Sequence, residues 1–277
     1  MTPNCIDVST WQRDIDWQRV KDAGIKAVII RAGFGHTKDN QFENHYAGAR
    51  AAGLAIGAYW YSYAYSVEQG ESEAYACAET LKGKTFEIPV YYDMEEDNQM
   101  TLGKSIMTAL ACRFLDTLKA LGYRVGMYSS PSWFTDFLDY DLLRAKYSIW
   151  LAHWASRHTR ACDIWQYGED GSIDGVPGDV DVDIIENWDV IGGKNTLDRT
   201  GYKYLDKSIG VLALKEMLLL AKRLGITSQG MQENTTFGDG TQIAVNQVLQ
   251  KGGYEQNGIA GEKFIKYLAK LIRDKLK

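Results

Sequence analysis

The sequence is sparing in residues that staple, coordinate or interrupt a chain. Its 277 residues include only four cysteines, four prolines and four histidines. Cys5, Cys77, Cys112 and Cys162 lie far apart and form no Cys-x-x-Cys pair. That spacing argues against a disulfide framework or a zinc site, and they read as isolated buried thiols from a reducing compartment. Positive charge is also short. The net charge of −5 is the reverse of the basic patch that marks a nucleic-acid binder. No apolar run approaches the ~20 residues of a membrane span, so no membrane insertion is expected. The amino terminus has no basic segment followed by an apolar stretch, so synthesis in the cytoplasm without a secretory leader is expected. Nothing in the sequence indicates an oligomeric state.

Aromatics, in contrast, are plentiful: 17 Tyr and eight Trp, suited equally to core packing and to stacking on sugar faces. Charge is unevenly shared. Residues 1–203 carry 20 basic against 29 acidic side chains, and residues 204–277 carry 11 against 7. An acidic body followed by a basic tail piece implies two domains, one at 1–190 and one at 204–277, joined by a Gly-rich, aperiodic linker at 191–203.

Within the body, short apolar runs alternate with amphipathic stretches. Strands are expected at 5–8, 27–31, 55–61, 88–93, 124–128, 147–152, 162–166 and 180–184. Helices are expected at 17–23, 40–52, 69–81 and 102–121, with Gly24, Gly53, Gly83 and Gly122 just beyond them. Alternation of strand and helix implies a parallel sheet. Eight strands over this length suggest an α/β fold: an irregular, TIM-like (β/α) barrel with its late helices reduced.

In such a barrel the carboxyl ends of the strands carry the chemistry, which gives meaning to Asp93-Met94-Glu95 at the end of the fourth run. Side chains two apart on a strand share a face, so Asp93 and Glu95 project together. A carboxyl pair of this kind is what glycosidic hydrolysis requires. Asp7, late in the first strand, and Asp181, on the last, would join them at one mouth. In Asp179-Val-Asp-Val-Asp183 the three Asp share a face, and alternation leaves open which of them enters the site. Tyr59, Trp60, Tyr61, Tyr63, Tyr128, Trp150, Trp154, Trp165 and Tyr167 cluster at the same expected rim. An acidic quartet could also hold Mg²⁺ or Ca²⁺. Because no histidine adjoins the acidic motif, neither a catalytic metal nor another cofactor is expected.

Seven segments, in order, resemble glycoside hydrolase family 25, the Chalaropsis-type lysozymes that include many phage endolysins. They are Ile6-Asp-Val-Ser9 with Ile15-Asp-Trp17, Val28-Ile-Ile-Arg-Ala-Gly33, Ala52-Gly-Leu54 with Gly57-Ala-Tyr-Trp-Tyr61, Asp93-Met-Glu95, Trp150-Leu-Ala-His153, Trp165-Gln-Tyr167 and Gly178-Asp-Val-Asp181. The resemblance implies an irregular (β/α) barrel cleaving the β-1,4 bond between N-acetylmuramic acid and N-acetylglucosamine in peptidoglycan. It makes Glu95 the general acid/base and Asp93 the partner of the substrate's acetamido group, with Asp7 and Asp181 the other two carboxylates. Tyr61, Tyr128 and Trp150, with Tyr59, Arg31 and Gln166, fall at or near substrate-contacting positions. The chain departs from the family at Trp11-Gln12-Arg13, where Gln-Gly is common, and at Trp60, where His is common. Retention of configuration through the acetamido oxygen is the expected course.

In the tail piece, three amphipathic helices are expected at 208–224, 240–250 and 262–276, a small all-α bundle. Thr236-Phe-Gly238, Thr241, Ala244-Val245 and Asn257-Gly-Ile259 with Gly261 resemble the three-helix peptidoglycan-binding domain of wall hydrolases. That family's Phe-Gln after Ala-Val is Val248-Leu249 here. The leading expectation is an endolysin-type muramidase released to act on the cell wall, with peptidoglycan as partner. The alternatives are a hydrolase of chitin-type polymers and a non-catalytic wall-binding protein.

Overall fold

The structure is a computed structural model that describes residues 1–192, Asp198 and 200–277. Two compact units divide at residues 193/194, with the short segment 120–123 grouped with the second. Of the linker expected at 191–203, residues 193–197 and 199 lie outside the described residues.

The first unit is built from β1 (Cys5–Val8), α1 (Trp17–Asp22), β2 (Ala27–Phe34), the two-residue β3 (Thr37–Lys38), α2 (Phe42–Ala52), β4 (Ala55–Tyr61) and α3 (Val67–Leu81). It continues with β5 (Val90–Asp93), α4 (Lys104–Ala120), β6 (Val125–Ser129), α5 (Pro131–Asp136), α6 (Tyr140–Lys146), β7 (Ser148–Ala152), β8 (Ile164–Gly171) and β9 (Val180–Ile185). Strands β1, β2, β4, β5, β6, β7 and β8 run parallel. Strand β9 pairs with both β8 and β1, and the β1–β2 pairing closes an eight-stranded barrel with β3 appended to β2. The late helices are reduced, as expected: α5 and α6 have six and seven residues, and none separates β7 from β8 or β8 from β9 among the described residues.

One expectation is corrected. The sheet is not wholly parallel, because β9 is antiparallel to both neighbours. The β8–β9 connection carries no helix to return the chain to the other end of the barrel, so β9 must run back as a hairpin partner. Its amino-terminal end therefore lies at the mouth. Its far end is clipped to the start of the chain, where Asn4 N–H donates to the Asp183 carbonyl at 3.2 Å and Asn4 Oδ1 accepts from Ile185 N at 2.8 Å.

Local chemistry supports these elements. Asp16, Ser66, Ser130 and Asp139 accept backbone N–H bonds at the starts of α1, α3, α5 and α6, satisfying donors that a helix leaves open. Where β2 bulges, Gly33 is required by close approach. A Cβ there would lie 2.4 Å from the Thr37 carbonyl and 2.5 Å from the Trp60 ring. Inside the barrel, Cys5, Ala27, Ile29, Ile88, Tyr91, Tyr128, Trp150, Ile164 and Ile185 pack as one cluster.

The second unit contains α7 (Ile209–Arg223), α8 (Asp239–Lys251) and α9 (Glu262–Leu276) around Val211, Leu214, Leu218, Phe237, Val245, Val248, Phe264 and Leu268. Asp198 belongs to this unit. Its carboxylate accepts from Lys263 N (3.3 Å) and Phe264 N (2.6 Å) at the start of α9, where the N-cap residue Gly261 has no side chain to do so. Lys215 is buried, its ammonium donating to the Gln232 carbonyl (3.1 Å) and Asn234 Oδ1 (2.7 Å). Among the described residues no helix is long and apolar enough to cross a membrane.

Candidate active site

Register brings the acidic residues together. Asp93 ends β5, opposite Tyr61 of β4 and Tyr128 of β6. Asp7 on β1 lies opposite Asp181 on β9. Because β9 is reversed, Asp181 reaches the mouth from the start of its strand, whereas Asp7 and Asp93 reach it from the late part of theirs. The alternation left open by the sequence is thereby resolved. Asp179 is exposed beyond the strand, Asp181 is half-buried, and Asp183 points the same way from one pleat deeper and is fully buried. The sequence left Asp183 among three candidates on one face, and the resemblance pointed to Asp181 and gave no role to Asp183. Its position two residues beyond Asp181 on the same face was the available signal.

The mouth is an electrostatically crowded place for carboxylates. Burial is the first cause in every case and disfavours the charged form. Asp7 is raised well above the usual carboxylate range by burial and by the charges of Asp181, Asp183 and Asp93, with a hydrogen bond from Gln166 working the other way. Asp93 is raised by burial and by Glu95, against the favourable charge of Arg31. Asp181 is pushed up to about 6 by burial and Glu169, offset by a hydrogen bond with Asp7. Glu95 stands exposed at the rim, yet the walls crowd its carboxyl. Desolvation, then Asp181, Asp97 and Glu96, push it up to about 7. That is the protonation range a general acid needs at neutral pH.

Below the carboxyls a polar chain fixes their positions. Gln166 Nε2 donates to Asp7 Oδ2 (2.8 Å), while its Oε1 accepts from Tyr128 OH (3.0 Å) and Trp154 Nε1 (3.2 Å). Trp150 Nε1 donates to Asp183 Oδ1 at 2.8 Å. Ser129 Oγ donates to the Met94 carbonyl at 2.6 Å, holding the backbone between the two catalytic candidates. One oxygen of Asp93, Oδ1, is buried and has no hydrogen-bond partner among the described residues.

The aromatic residues separate into two groups. Trp150, expected at a sugar-contacting position, is 1% exposed and packs against Tyr59, Tyr91 and Tyr128. Tyr128 is also buried. Both act from beneath, through Asp183 and Gln166. Trp60 and Trp165, expected at the rim, are core residues too, and Trp60 donates its indole N–H to the Gly35 carbonyl at 3.0 Å. Tyr59 is half-buried. Rings open to solvent are Trp154, Tyr63 and, in part, Tyr61, whose hydroxyl donates to Glu96 Oε2 at 3.2 Å. Position along a strand does not reveal this division. Inward side chains at the deep end of a barrel are buried, and only those past the last hydrogen-bonded pair reach water.

Arg31 does not join the carboxyl group directly. Its Nε donates to buried Asp39 at 2.7 Å, and the pair forms part of a groove of about 440 Å³ beside Tyr61. Trp11, Phe34, Lys38 and Tyr63 complete much of its lining. The sequence marked Trp11 only as a departure from a family pattern. Its full exposure three residues past β1 now gives it a place in a groove.

This arrangement is matched by comparison. Residues 6–176 fit the sequence profile of Glycosyl hydrolases family 25. The chain belongs to glycosyl hydrolase family 25. The match takes in Asp7, Asp93 and Glu95 but stops before Asp181 and the helical unit. An "Autolytic lysozyme" of Clostridium acetobutylicum is 29% identical over 199 residues, covering 70% of this chain and 59% of that protein. "Lysozyme M1" of Streptomyces globisporus is 29% identical over 192 residues, covering 64% and 65%. The crystal structure of a bacterial lysozyme from Streptomyces coelicolor superposes with a TM-score of 0.57 at 28% identity, covering 65% of this chain and 90% of that one. The chain thus spans about three fifths to two thirds of the length of these two curated relatives.

Proposed function

We propose that this family 25 protein is a muramidase of the endolysin type, hydrolysing the β-1,4 bond between N-acetylmuramic acid and N-acetylglucosamine in peptidoglycan. One observation carries the reading: an accessible Glu95 carboxyl held near pH 7 stands beside a buried Asp93 with a free acceptor oxygen. The lysozyme relatives support the choice of substrate.

In this scheme Glu95 gives its proton to the leaving glycosidic oxygen. The substrate's 2-acetamido oxygen closes on the anomeric carbon, and Asp93 Oδ1 accepts the acetamido N–H and offsets the positive charge that develops. Glu95, now a carboxylate, takes a proton from the water that opens the ring, so the anomeric configuration is retained. Asp181, Asp97 and Glu96 keep the local potential negative, which favours the protonated form of Glu95 at rest. Trp154, Tyr63 and Tyr61 offer faces for sugar rings, and the Arg31–Asp39 groove accommodates a further stretch of the polymer.

We assign wall attachment to the helical unit. The residues that carry its resemblance to peptidoglycan-binding domains divide by role. Phe237, Thr241, Ala244 and Val245 are buried and shape the bundle, which leaves its basic surface to meet the wall.

The test is the chemistry of fragments from purified peptidoglycan. Mass spectrometry should find muramic acid at the new reducing end, and NMR of the first-formed anomer should find retention. N-acetylglucosamine at that end, or lysis of chitin in place of peptidoglycan, would overturn the substrate assignment. An inverted anomer would replace acetamido participation with direct attack by water. The scheme needs no metal, so EDTA should leave turnover unchanged well below the unfolding temperature.

A further inference from the structure

At the end of the barrel remote from the mouth, the structure gathers three different potential metal ligands. Cys162 lies just before β8, Glu186 just after β9, and His158 on the loop that leads into β8. One ligand atom from each lies within 4.8 Å of the others. Among the described residues no other trio of His, Cys and carboxylate groups meets this way. The sequence hid the trio, since 24 residues separate Cys162 from Glu186 and the hairpin of β8 and β9 alone makes them neighbours.

The hydrogen bonds around His158 leave an unanswered charge. Its Nδ1 lies 2.8 Å from the Arg160 carbonyl. A carbonyl only accepts, so Nδ1 carries the proton, and in the neutral ring Nε2 presents its lone pair. That lone pair faces Glu186 Oε1 at 2.9 Å, an acceptor against an acceptor. A cation between the two would answer both lone pairs. An outer-sphere carbonyl on one ring nitrogen with the other left bare is also how metal-binding histidines are oriented. Cys162 Sγ approaches the other Glu186 oxygen at 3.9 Å. The Cys162 thiol is pushed up to about 12 by burial and then by the charges of Glu186 and Asp163, so by itself it stays neutral. A bound cation would take it as thiolate. Trp165 packs edge-on against His158 at 5.1 Å between ring centroids, limiting the ring's rotation.

We propose that His158 Nε2, Cys162 Sγ and the Glu186 carboxylate bind a divalent cation of the zinc class, with water in the fourth position, as a clamp between the β7–β8 loop and the end of β9. Nitrogen, thiolate and carboxylate together suit Zn²⁺ better than Mg²⁺ or Ca²⁺. Tetrahedral zinc with bonds of about 2.0–2.3 Å sets its ligand atoms roughly 3.3–3.8 Å apart. The 2.9 and 3.9 Å contacts with the two Glu186 oxygens bracket that spacing and the ligand atoms all lie within 4.8 Å of one another, so rotamer-scale adjustment closes the site. The cation displaces the thiol proton to solvent. The site is apart from the catalytic carboxyls and takes no part in the sugar chemistry.

The experiment uses the full chain freed of metal by chelation, with Zn²⁺ and Co²⁺ as probes. One equivalent of Zn²⁺ should raise Tm by several degrees, and calorimetry in buffers of different ionisation enthalpy should register about one proton released per ion. One equivalent of Co²⁺ should give a near-ultraviolet thiolate-to-cobalt absorption band. Cys162→Ser should remove that band and weaken Zn²⁺ binding at least about tenfold, whereas Cys112→Ser should change neither. His158→Ala should weaken binding as well. Absence of both the Tm rise and the band would overturn the proposal, leaving a hydrogen-bonded cluster without a metal. A band that persists in Cys162→Ser would overturn it too, because the metal would then sit on another cysteine.

Discussion

The two ends of the barrel treat buried carboxylates in opposite ways. At the floor, Asp163 is 3% exposed, yet its charge is fully answered. Arg144 pairs with it, Ser148 Oγ and Ile149 N donate to it at 2.9 Å, and Asn187 donates to its other oxygen at 2.9 Å. Burial alone would raise it, but these partners prevail and hold it below the usual carboxylate range. Glu87, also at the floor, is tied to Arg50 at 2.7 Å and to Ile56 N at 3.1 Å. At the mouth, Asp7, Asp93 and Asp183 are as deeply buried, but their neighbours are largely one another. The same residue type serves folding where cations and N–H groups surround it, and holds protons for chemistry where they are withheld.

The contrast is sharpest in activity. Glu95→Gln should lower lysis by ~10²–10⁴-fold, the usual scale of general acid–base help, with an unchanged circular dichroism spectrum. Asp93→Asn should also lower turnover strongly, since an amide cannot offset the developing charge. Near-normal lysis by either folded variant would mean that the mouth is not the reacting centre. At the floor the pattern should invert. Asp163→Asn should leave lysis at low temperature nearly intact and cost about 1–3 kcal/mol of stability through stranded donors and a weakened ion pair. Arg144 is about one third exposed, and water regained by its guanidinium limits the loss. Urea unfolding measures this change, and an unaffected midpoint would show that Asp163 is not a support.

How much of this contrast the sequence carries varies by residue. The Asp93-Met94-Glu95 run could be placed because a strand's two-residue period is local, and helices α2, α3 and α4 fell close to their expected limits for the same reason. The direction of β9 was hidden. Periodicity is the same read up or down a strand, and only the absence of a helix before Val180 bore on it. Asp163 passed unnoticed because its partners lie on other segments: Arg144 on α6 and Asn187 after β9. Trp150 and Tyr128 look like their exposed neighbours in sequence, and only depth within the barrel separates them.

pH gives a subtler way to separate the ends. With Asp163 held low, the folded state keeps its advantage at neutral pH and loses it as acid protonates the group. Glu95 near 7 and Asp181 near 6 have the opposite sign. Above the ordinary carboxyl value of about 4, the unfolded chain has released protons that the folded protein still holds. Their contribution to stability therefore declines as pH rises from about 4 to 7. Calorimetric scans at fixed ionic strength should show a wild-type Tm that falls across this window more than the Glu95→Gln Tm does, with the two converging near pH 4. Parallel curves would contradict the shifted Glu95. The smallest effect concerns the helical unit. A chain ending at Gly192 should hydrolyse small soluble fragments normally but sediment less with intact walls, because a second attachment raises local concentration without altering the chemistry. Equal sedimentation would remove the wall-binding assignment.

The clip at Asn4 has a consequence for how the barrel could be rewired. Since β9 runs backwards, the last strand finishes at the end where the first begins, the two joined through Asn4, Asp183 and Ile185. The ring of strands therefore has no intrinsic starting point. A permuted gene could open the chain at the exposed turn around Gly83, after α3, and bridge residue 3 to residue 187 with a few glycines. Such a chain would present the same four mouth aspartates and Glu95 in a new reading order.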